Sequence, residues 1–208
     1  MRVGVVGVQG DVAEHVAAVE RAGRRRGLDV EAVAIRNAGV VPDCDALALP
    51  GGESTTISRL LHRRGIAPEI VAHVDAGKPL FATCAGLIVV SRDARDDRVE
   101  TLDLLNVAVD RNAFGRQRDS FEAHLDVAGL EDPFPAVFIR APAIAEVGPG
   151  VEVLSTVDDR PVAVREGPVV GTAFHPELTD DFRLPRPHAL HSYPSALSTQ
   201  NEPSPPRP

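Results

Sequence analysis

The sequence predicts an α/β fold with a doubly wound, mainly parallel sheet flanked by helices, and with antiparallel strands in its C-terminal half. In the first half of the chain, short aliphatic runs alternate with segments whose apolar residues recur at helical spacing. Short links join these segments, as in parallel α/β units. Aromatic residues make up only 4% of the chain and Trp is absent, so the core is aliphatic. Such a core suits parallel strands that helices bury on both faces.

The first half predicts four strands and four helices. The expected strands are 2–8, 29–35, 46–49 and 79–82, and the expected helices are 12–26, 54–64, 68–76 and the segment from Leu87 onward. The third strand ends at Pro50-Gly51-Gly52, where the chain must turn. Ser54 or Thr55 is expected to cap the second helix, because a hydroxyl oxygen can accept from the first backbone N–H groups.

The second half predicts shorter strands with more antiparallel pairing. These strands are 106–109, 120–127, 136–139, 151–156, 162–165 and 169–173. We expect one domain over residues 1–182, because a chain of 208 residues suits a single core. Residues 183–208 contain seven prolines among Ser, Asn and His residues, which predicts an unstructured tail.

Composition restricts the possible partners. The formal charge of −8 disfavours nucleic acid and anionic membrane surfaces, so a small substrate is expected. The two cysteines, Cys44 and Cys84, are too few for a disulfide framework, and the N-terminus does not resemble an export signal. No apolar run approaches the roughly 20 residues that span a bilayer. We therefore expect a cytoplasmic protein with no membrane role.

Cys84 lies where the chain passes from a predicted strand into a helix. In Ala82-Thr83-Cys84-Ala85-Gly86, small residues stand two positions to either side of the cysteine, a pattern typical of a nucleophile elbow. The positive end of the following helix would favour a thiolate. A buried structural cysteine is the alternative interpretation, and it is the one that we give to Cys44.

A histidine and a carboxylate follow the last predicted strand in Phe174-His175-Pro176-Glu177. Pro176 favours an extended conformation at His175, and residues two apart in an extended chain point to the same side. Glu177 can therefore orient His175, which in turn can activate Cys84. Gly51-Gly52 can bring backbone N–H groups towards an oxyanion, although an ordinary Gly-Gly turn remains an alternative.

These motifs resemble the class I glutamine amidotransferases that have a Cys-His-Glu triad. The resemblance rests on Pro50-Gly51-Gly52-Glu53-Ser54, Thr83-Cys84-Ala85-Gly86-Leu87 and His175-Pro176-Glu177. Three further stretches narrow it to the glutaminase subunits of pyridoxal 5′-phosphate synthase: Val8-Gln9-Gly10 with His15, residues 111–122 and residues 138–142. Together the motifs run in order from about residue 2 to Asp181.

The resemblance implies a role for each matching residue. Cys84 would be the nucleophile, His175 the base and Glu177 its orienting carboxylate. The residues expected to hold glutamine are Gly52, Glu53, Ser54, Arg111, Ile139 and Arg140. A guanidinium suits the α-carboxylate of glutamine, although the arginines could equally be surface charges and Glu53 a first-turn helix acid. The oxyanion loop, which docking of a partner would order, is assigned to Gln9, Gly51 and Ala85.

The resemblance also implies a partner, the synthase subunit of pyridoxal 5′-phosphate synthase, in a hetero-oligomer. The substrate would be L-glutamine, and no cofactor or metal is expected, because no His and Cys cluster has ligand spacing. Two alternatives remain open at this point. The chain could be a glutaminase of another biosynthetic pathway, or an inactive regulatory or binding subunit.

The end of the chain departs from the family pattern. The resemblance implies a final amphipathic helix after Asp181 that covers the sheet, but Leu184-Pro185-Arg186-Pro187 interrupts its register. Each proline inside a helix costs roughly 3 kcal/mol, so a normal helix is excluded here. Apolar surface beside the sheet should then be exposed. A genuine family variant and a shifted reading frame are both compatible with this pattern.

Overall fold

A computed structural model of the protein describes residues 1–10, 12–111, 120–181 and 183–184. The helices are α1 (Val12–Arg25), α2 (Ser54–Arg63), α3 (Ala67–Asp75) and α4 (Ala85–Val90), and short 3₁₀ turns lie at Val41–Asp43 and Pro176–Leu178. The strands are β1 (Arg2–Val6), β2 (Glu31–Ile35), β3 (Ala46–Leu49), β4 (Leu80–Thr83), β5 (Ser91–Asp93), β6 (Leu105–Asp110), β7 (Ser120–Leu125), β8 (Phe134–Ile139), β9 (Ala143–Val147), β10 (Glu152–Val157), β11 (Arg160–Glu166) and β12 (Val169–Thr172).

The central sheet has seven strands in the order β10-β11-β12-β4-β3-β1-β2. The five strands from β12 to β2 are parallel to their neighbours, whereas β10, β11 and β12 pair antiparallel. Strands β5, β6 and β9 form a second sheet, and β7 pairs with β8. The predicted fold class is thereby confirmed.

The parallel strands owe their positions to their apolar sequences. All four residues of β4 are buried, and so are the last three of β3, as expected for strands that are covered on both faces. Because β1, β3, β4 and β12 run in the same direction, the loops that follow them leave from one edge of the sheet. In open α/β sheets this carboxyl edge is where ligands bind.

The structure corrects several local predictions. Helix α2 is capped by Glu53, whose carboxylate accepts from the N–H groups of Thr55 and Thr56, so the predicted Ser54 or Thr55 cap was wrong. Helix α4 begins at Ala85, directly after the cysteine, and not at Leu87. Strands β5 and β9 were not predicted, because β5 has three residues and continues directly from a helix, and β9 follows a proline.

The chain stays packed through the first two residues of the predicted tail. The Arg183 guanidinium donates to the carbonyls of Asp132 and Pro133, each at 2.8 Å. Leu184 is only 8% exposed and belongs to the hydrophobic core. It lines a largely apolar cavity of about 120 Å³ between α1 and the sheet.

We predict that truncation after Leu184 leaves the free energy of unfolding almost unchanged, whereas truncation after Asp181 lowers it. The shorter chain loses the burial of Leu184 and the Arg183 hydrogen bonds, which together contribute at least about 2 kcal/mol. Urea unfolding of the two truncated proteins measures the difference, and Leu184→Ala isolates the apolar part of it. Equal destabilisation by both truncations would mean that residues 185–208 pack against the domain.

Candidate active site

Cys84 lies on a sharp turn between β4 and α4. Its φ of 50° and ψ of −109° place it in a backbone region that residues other than glycine rarely adopt. Its N–H donates to the Thr172 carbonyl at 2.8 Å, which ties the turn to β12. A Cβ at Gly86 would lie 2.2 Å from the Leu49 carbonyl oxygen, so only glycine lets α4 approach β3 this closely. This is the geometry of a nucleophile elbow.

His175 and Glu177 lie beside this turn. The His175 N–H donates to the Val137 carbonyl at 2.8 Å, and its Nδ1 lies 2.6 Å from Glu177 Oε1. The side chains of both residues are buried. The chain enters the 3₁₀ turn at Pro176, so the pair meets across this turn and not along an extended strand as predicted. The expected proximity is confirmed, but its structural cause is different.

The environment of His175 favours its protonated form. Burial alone would lower its pKa, but hydrogen bonds to Cys84 and Glu177, with the charges of those groups, raise the pKa of His175 to about 10. Because Nδ1 is bound to Glu177, the opposite ring nitrogen is available for the thiol. An imidazolium is therefore favoured beside the Cys84 sulfur.

The loop after β3 packs directly against Cys84 and His175. A Cβ at Gly51 would lie 2.7 Å from His175 Cε1 and 3.3 Å from the Cys84 Cβ, so no side chain fits there. Gln9 Oε1 accepts from the Glu53 N–H at 2.8 Å, which links the loop after β1 to the loop after β3. Gln9 thus contacts the loop that contains Gly51 and Gly52, and Ala85, the third residue of the predicted oxyanion loop, directly follows Cys84.

The residues predicted to hold glutamine are partly engaged with one another. Arg111 forms an ion pair with Glu53 and a second one with Asp96 at 3.2 Å. Burial opposes the ionisation of Glu53, yet hydrogen bonds from Thr55 and Thr56 lower the pKa of Glu53 to about 2. Glu53 therefore serves as both a helix cap and a partner for Arg111.

The other predicted binding residues occupy different positions around the site. Ser54 is buried, and its Oγ has no hydrogen-bond partner among the residues that the structure describes. Ile139 ends β8, the strand whose Val137 carbonyl accepts from His175, and the exposed Arg140 follows it with a φ of 42°. Gly52 has a φ of 144° and lies against Gln9.

Some site features lie outside the sequence predictions or outside the described residues. The stretch 112–117, part of the family resemblance, is not among the described residues. Asp96 was not predicted, because it stands in a charged loop with no motif to mark it. Its own pKa is lowered by hydrogen bonds from Arg98, followed by those from Arg111. His15 belonged to a matching motif but had no assigned role.

Within the described ranges, no group of three or more His, Cys, Asp or Glu side chains is arranged to hold a metal ion. In the same part of the chain, no helix combines the length and apolar character that crossing a membrane requires.

Three relatives match nearly the whole chain. The pyridoxal 5′-phosphate synthase subunit PdxT of Halorubrum lacusprofundi is 66% identical over 194 residues, which cover 93% of this chain and 97% of that protein. The protein of the same name from Haloarcula marismortui is 66% identical and covers 95% and 99%. That of Halobacterium salinarum is 70% identical and covers 87% and 89%.

Two solved structures are also similar to this chain. A crystal structure of a glutamine amidotransferase matches with a TM-score of 0.80 and 44% identity, over 91% of this chain and 97% of that one. PurLQS from Thermotoga maritima matches with a TM-score of 0.59 over 85% of this chain and 87% of that one, but at 18% identity it shares the fold alone.

A family model described as the SNO glutamine amidotransferase family matches residues 5–187. The predicted resemblance is confirmed, and the chain belongs to the SNO glutamine amidotransferase family.

Proposed function

We propose that the chain hydrolyses L-glutamine to glutamate and ammonia, with Cys84 as nucleophile, His175 as acid and base, and Glu177 as orienting carboxylate. The observation that carries this proposal is the buried contact of His175 with both Cys84 and Glu177. Amide hydrolysis of this kind needs a nucleophile, a proton carrier and a group that orients the carrier. The contacts of His175 bring these three groups together.

The reaction begins when the Cys84 thiolate attacks the side-chain amide carbon of glutamine. The N–H of Ala85 and the loop at Gly51 lie beside the nucleophile, where negative charge develops on the amide oxygen. The imidazolium of His175 then donates its proton to the leaving ammonia, and a glutamyl thioester remains on Cys84. The neutral His175 then takes a proton from water, whose oxygen attacks the thioester; glutamate is released, and the Cys84 thiolate and the His175 imidazolium are restored.

The proposed partner is the synthase subunit of pyridoxal 5′-phosphate synthase, since relatives at 66–70% identity are named as the PdxT subunit of that enzyme. In neutral water most ammonia is protonated and cannot act as a nucleophile. A synthase subunit that docks directly on the chain would receive ammonia before it is protonated. Gln9 connects the loop after β1 to the loop after β3, which lies beside Cys84. A change in the loop after β1 when the partner docks could therefore reach the active site through Gln9. Two free cysteines and an acidic surface fit the reducing cytoplasm.

The proposed mode of substrate binding rests on the charged residues Arg111, Glu53 and Asp96. Arg111 is paired with Glu53 and Asp96, and we propose that it exchanges part of this pairing for the α-carboxylate of glutamine. Arg140, Ile139, Gly52 and the Ser54 hydroxyl complete the proposed binding set.

Cys84→Ala is expected to abolish glutamine hydrolysis, because the thiol that contacts His175 is lost. Cys44→Ala is the matched control, since that thiol is also buried, donates to the Val40 carbonyl and lies outside the site. Burial raises the pKa of Cys44, which keeps it neutral. Ammonia release with the synthase subunit present measures both variants, and equal loss in the two would contradict the assignment.

His175→Asn is expected to lower kcat by about 100-fold to 10,000-fold, because proton transfer to ammonia is lost. Glu177→Gln keeps a side chain of the same shape and should lose less, since it affects only the orientation and charge of the histidine. Steady-state kinetics in the complex measures both. A larger loss in Glu177→Gln than in His175→Asn would reverse the proposed roles.

The isolated chain is expected to be a weak glutaminase that the synthase subunit stimulates, because the loop beside Cys84 depends on contacts that docking can change. Gln9→Ala removes the acceptor for the Glu53 N–H and should reduce the stimulation. The measurement is kcat/KM with and without the synthase subunit, with Cys44→Ala as the control. A wild-type ratio near one would refute the coupling. An inactive regulatory subunit would release no ammonia in either condition.

A further inference from the structure

His15 is a buried histidine that the proposed mechanism leaves without a role. It lies on α1 and is only 3% exposed. Desolvating an imidazole in this way is costly unless its nitrogens find partners. Its position directly behind the triad therefore requires an explanation.

The ring of His15 stands between the two segments that carry the triad. Its Nε2 lies 3.1 Å from Thr83 Oγ1 and 3.6 Å from Glu177 Oε2. Thr83 is the residue before the nucleophile, and it is fully buried. One nitrogen of His15 thus faces both the strand that presents Cys84 and the carboxylate that orients His175.

The two oxygens of Glu177 differ in their surroundings. Oε1 lies 2.6 Å from His175 Nδ1. Oε2 is buried, and no described residue donates a hydrogen bond to it within the usual donor–acceptor distance. A buried carboxylate oxygen without a donor is unfavourable, and the nitrogen of His15 is only slightly beyond that distance.

We propose that His15 is a positioning residue for the triad carboxylate, with its Nε2 hydrogen-bonded to Thr83 Oγ1 and held 3.6 Å from Glu177 Oε2 as its electrostatic partner. This contact holds Glu177 in the orientation in which Oε1 accepts from His175. It also connects the carboxylate to β4, so that the base and the nucleophile keep a constant separation. The inference rests on the proposed function of Cys84, His175 and Glu177.

A positioning role has specific kinetic consequences. His15 does not belong to the proposed glutamine-binding set, so its loss should lower kcat and leave KM almost unchanged. Glu177 is faced by His15 from α1 and by His175 from its own segment, and His175 is faced by Cys84. A misoriented carboxylate stabilises the imidazolium less, so the alkaline limb of the pH–kcat profile should move to lower pH.

The test compares His15→Leu with His15→Gln in the full chain bound to the synthase subunit. Leucine fills the space without a donor, whereas the glutamine amide can present an N–H close to the position of Nε2. His73→Leu is the matched control, because His73 is also buried and its Nε2 contacts the Pro79 carbonyl at the opposite end of β4. Labelling of Cys84 with a glutamine-like electrophile counts the competent sites in each preparation.

His15→Leu is expected to lose roughly tenfold or more in kcat per labelled site, with KM within about twofold of wild type. The alkaline limb of its pH–kcat profile should shift to lower pH by about half a unit or more. His15→Gln should restore most of the lost kcat and most of the shift in the pH profile. His73→Leu should retain wild-type kcat per labelled site. If the kcat of His15→Leu per labelled site equals that of wild type and its pH profile is unchanged, His15 is a packing residue and the inference is wrong.

A folding failure of His15→Leu would not block the test. His15→Asn ends one atom short of the Nε2 position, so His15→Gln should exceed it in kcat per labelled site, and equal values would overturn the inference. The outcome also separates the two proposals. Activity in Cys84→Ala contradicts the proposed function, whereas an inactive Cys84→Ala with a fully active His15→Leu contradicts the role of His15 alone.

Discussion

The shared direction of the central strands is the constraint on which the site depends. Strands β1, β3, β4 and β12 are parallel, so the loops that carry Gln9, Gly51, Cys84 and His175 all leave from one edge of the sheet. Backbone contacts then set their separations, because the Cys84 N–H donates to β12 and the His175 N–H donates to β8. Residues that are far apart in sequence are thereby held at hydrogen-bond distance.

Close backbone packing at this edge explains why small residues stand there. Side chains at Gly51 and Gly86 would collide with His175 and with the Leu49 carbonyl, and a side chain at Gly10 would collide with the Gly51 carbonyl. The strained backbone of Cys84 is maintained by these neighbours. Both side chains of the His175–Glu177 contact are buried, which strengthens the attraction between the carboxylate and an imidazolium.

The sequence predicted most of the fold and the proximity of Cys84, His175 and Glu177, because both follow from local patterns. Aliphatic runs and helical periodicity predict the parallel strands and helices of the first half of the chain. The small residues around Cys84 predict the sharp turn between β4 and α4. Contacts that depend on tertiary placement were not predictable. Nothing local shows that Glu53 caps α2, that Asp96 reaches Arg111, or that His15 faces Glu177. The 3₁₀ turn at Pro176 shows that a correct expectation of proximity can have a different structural cause.

The central claim is that glutamine passes through a thioester on Cys84. The most direct measurement is acid quenching of the complex with the synthase subunit during turnover, followed by peptide mass mapping. The account predicts an adduct with the mass of glutamine less ammonia on the peptide that contains Cys84, absent when Cys84→Ala is used. Steady ammonia release with no adduct on that peptide, or with the adduct on Cys44, would contradict the account.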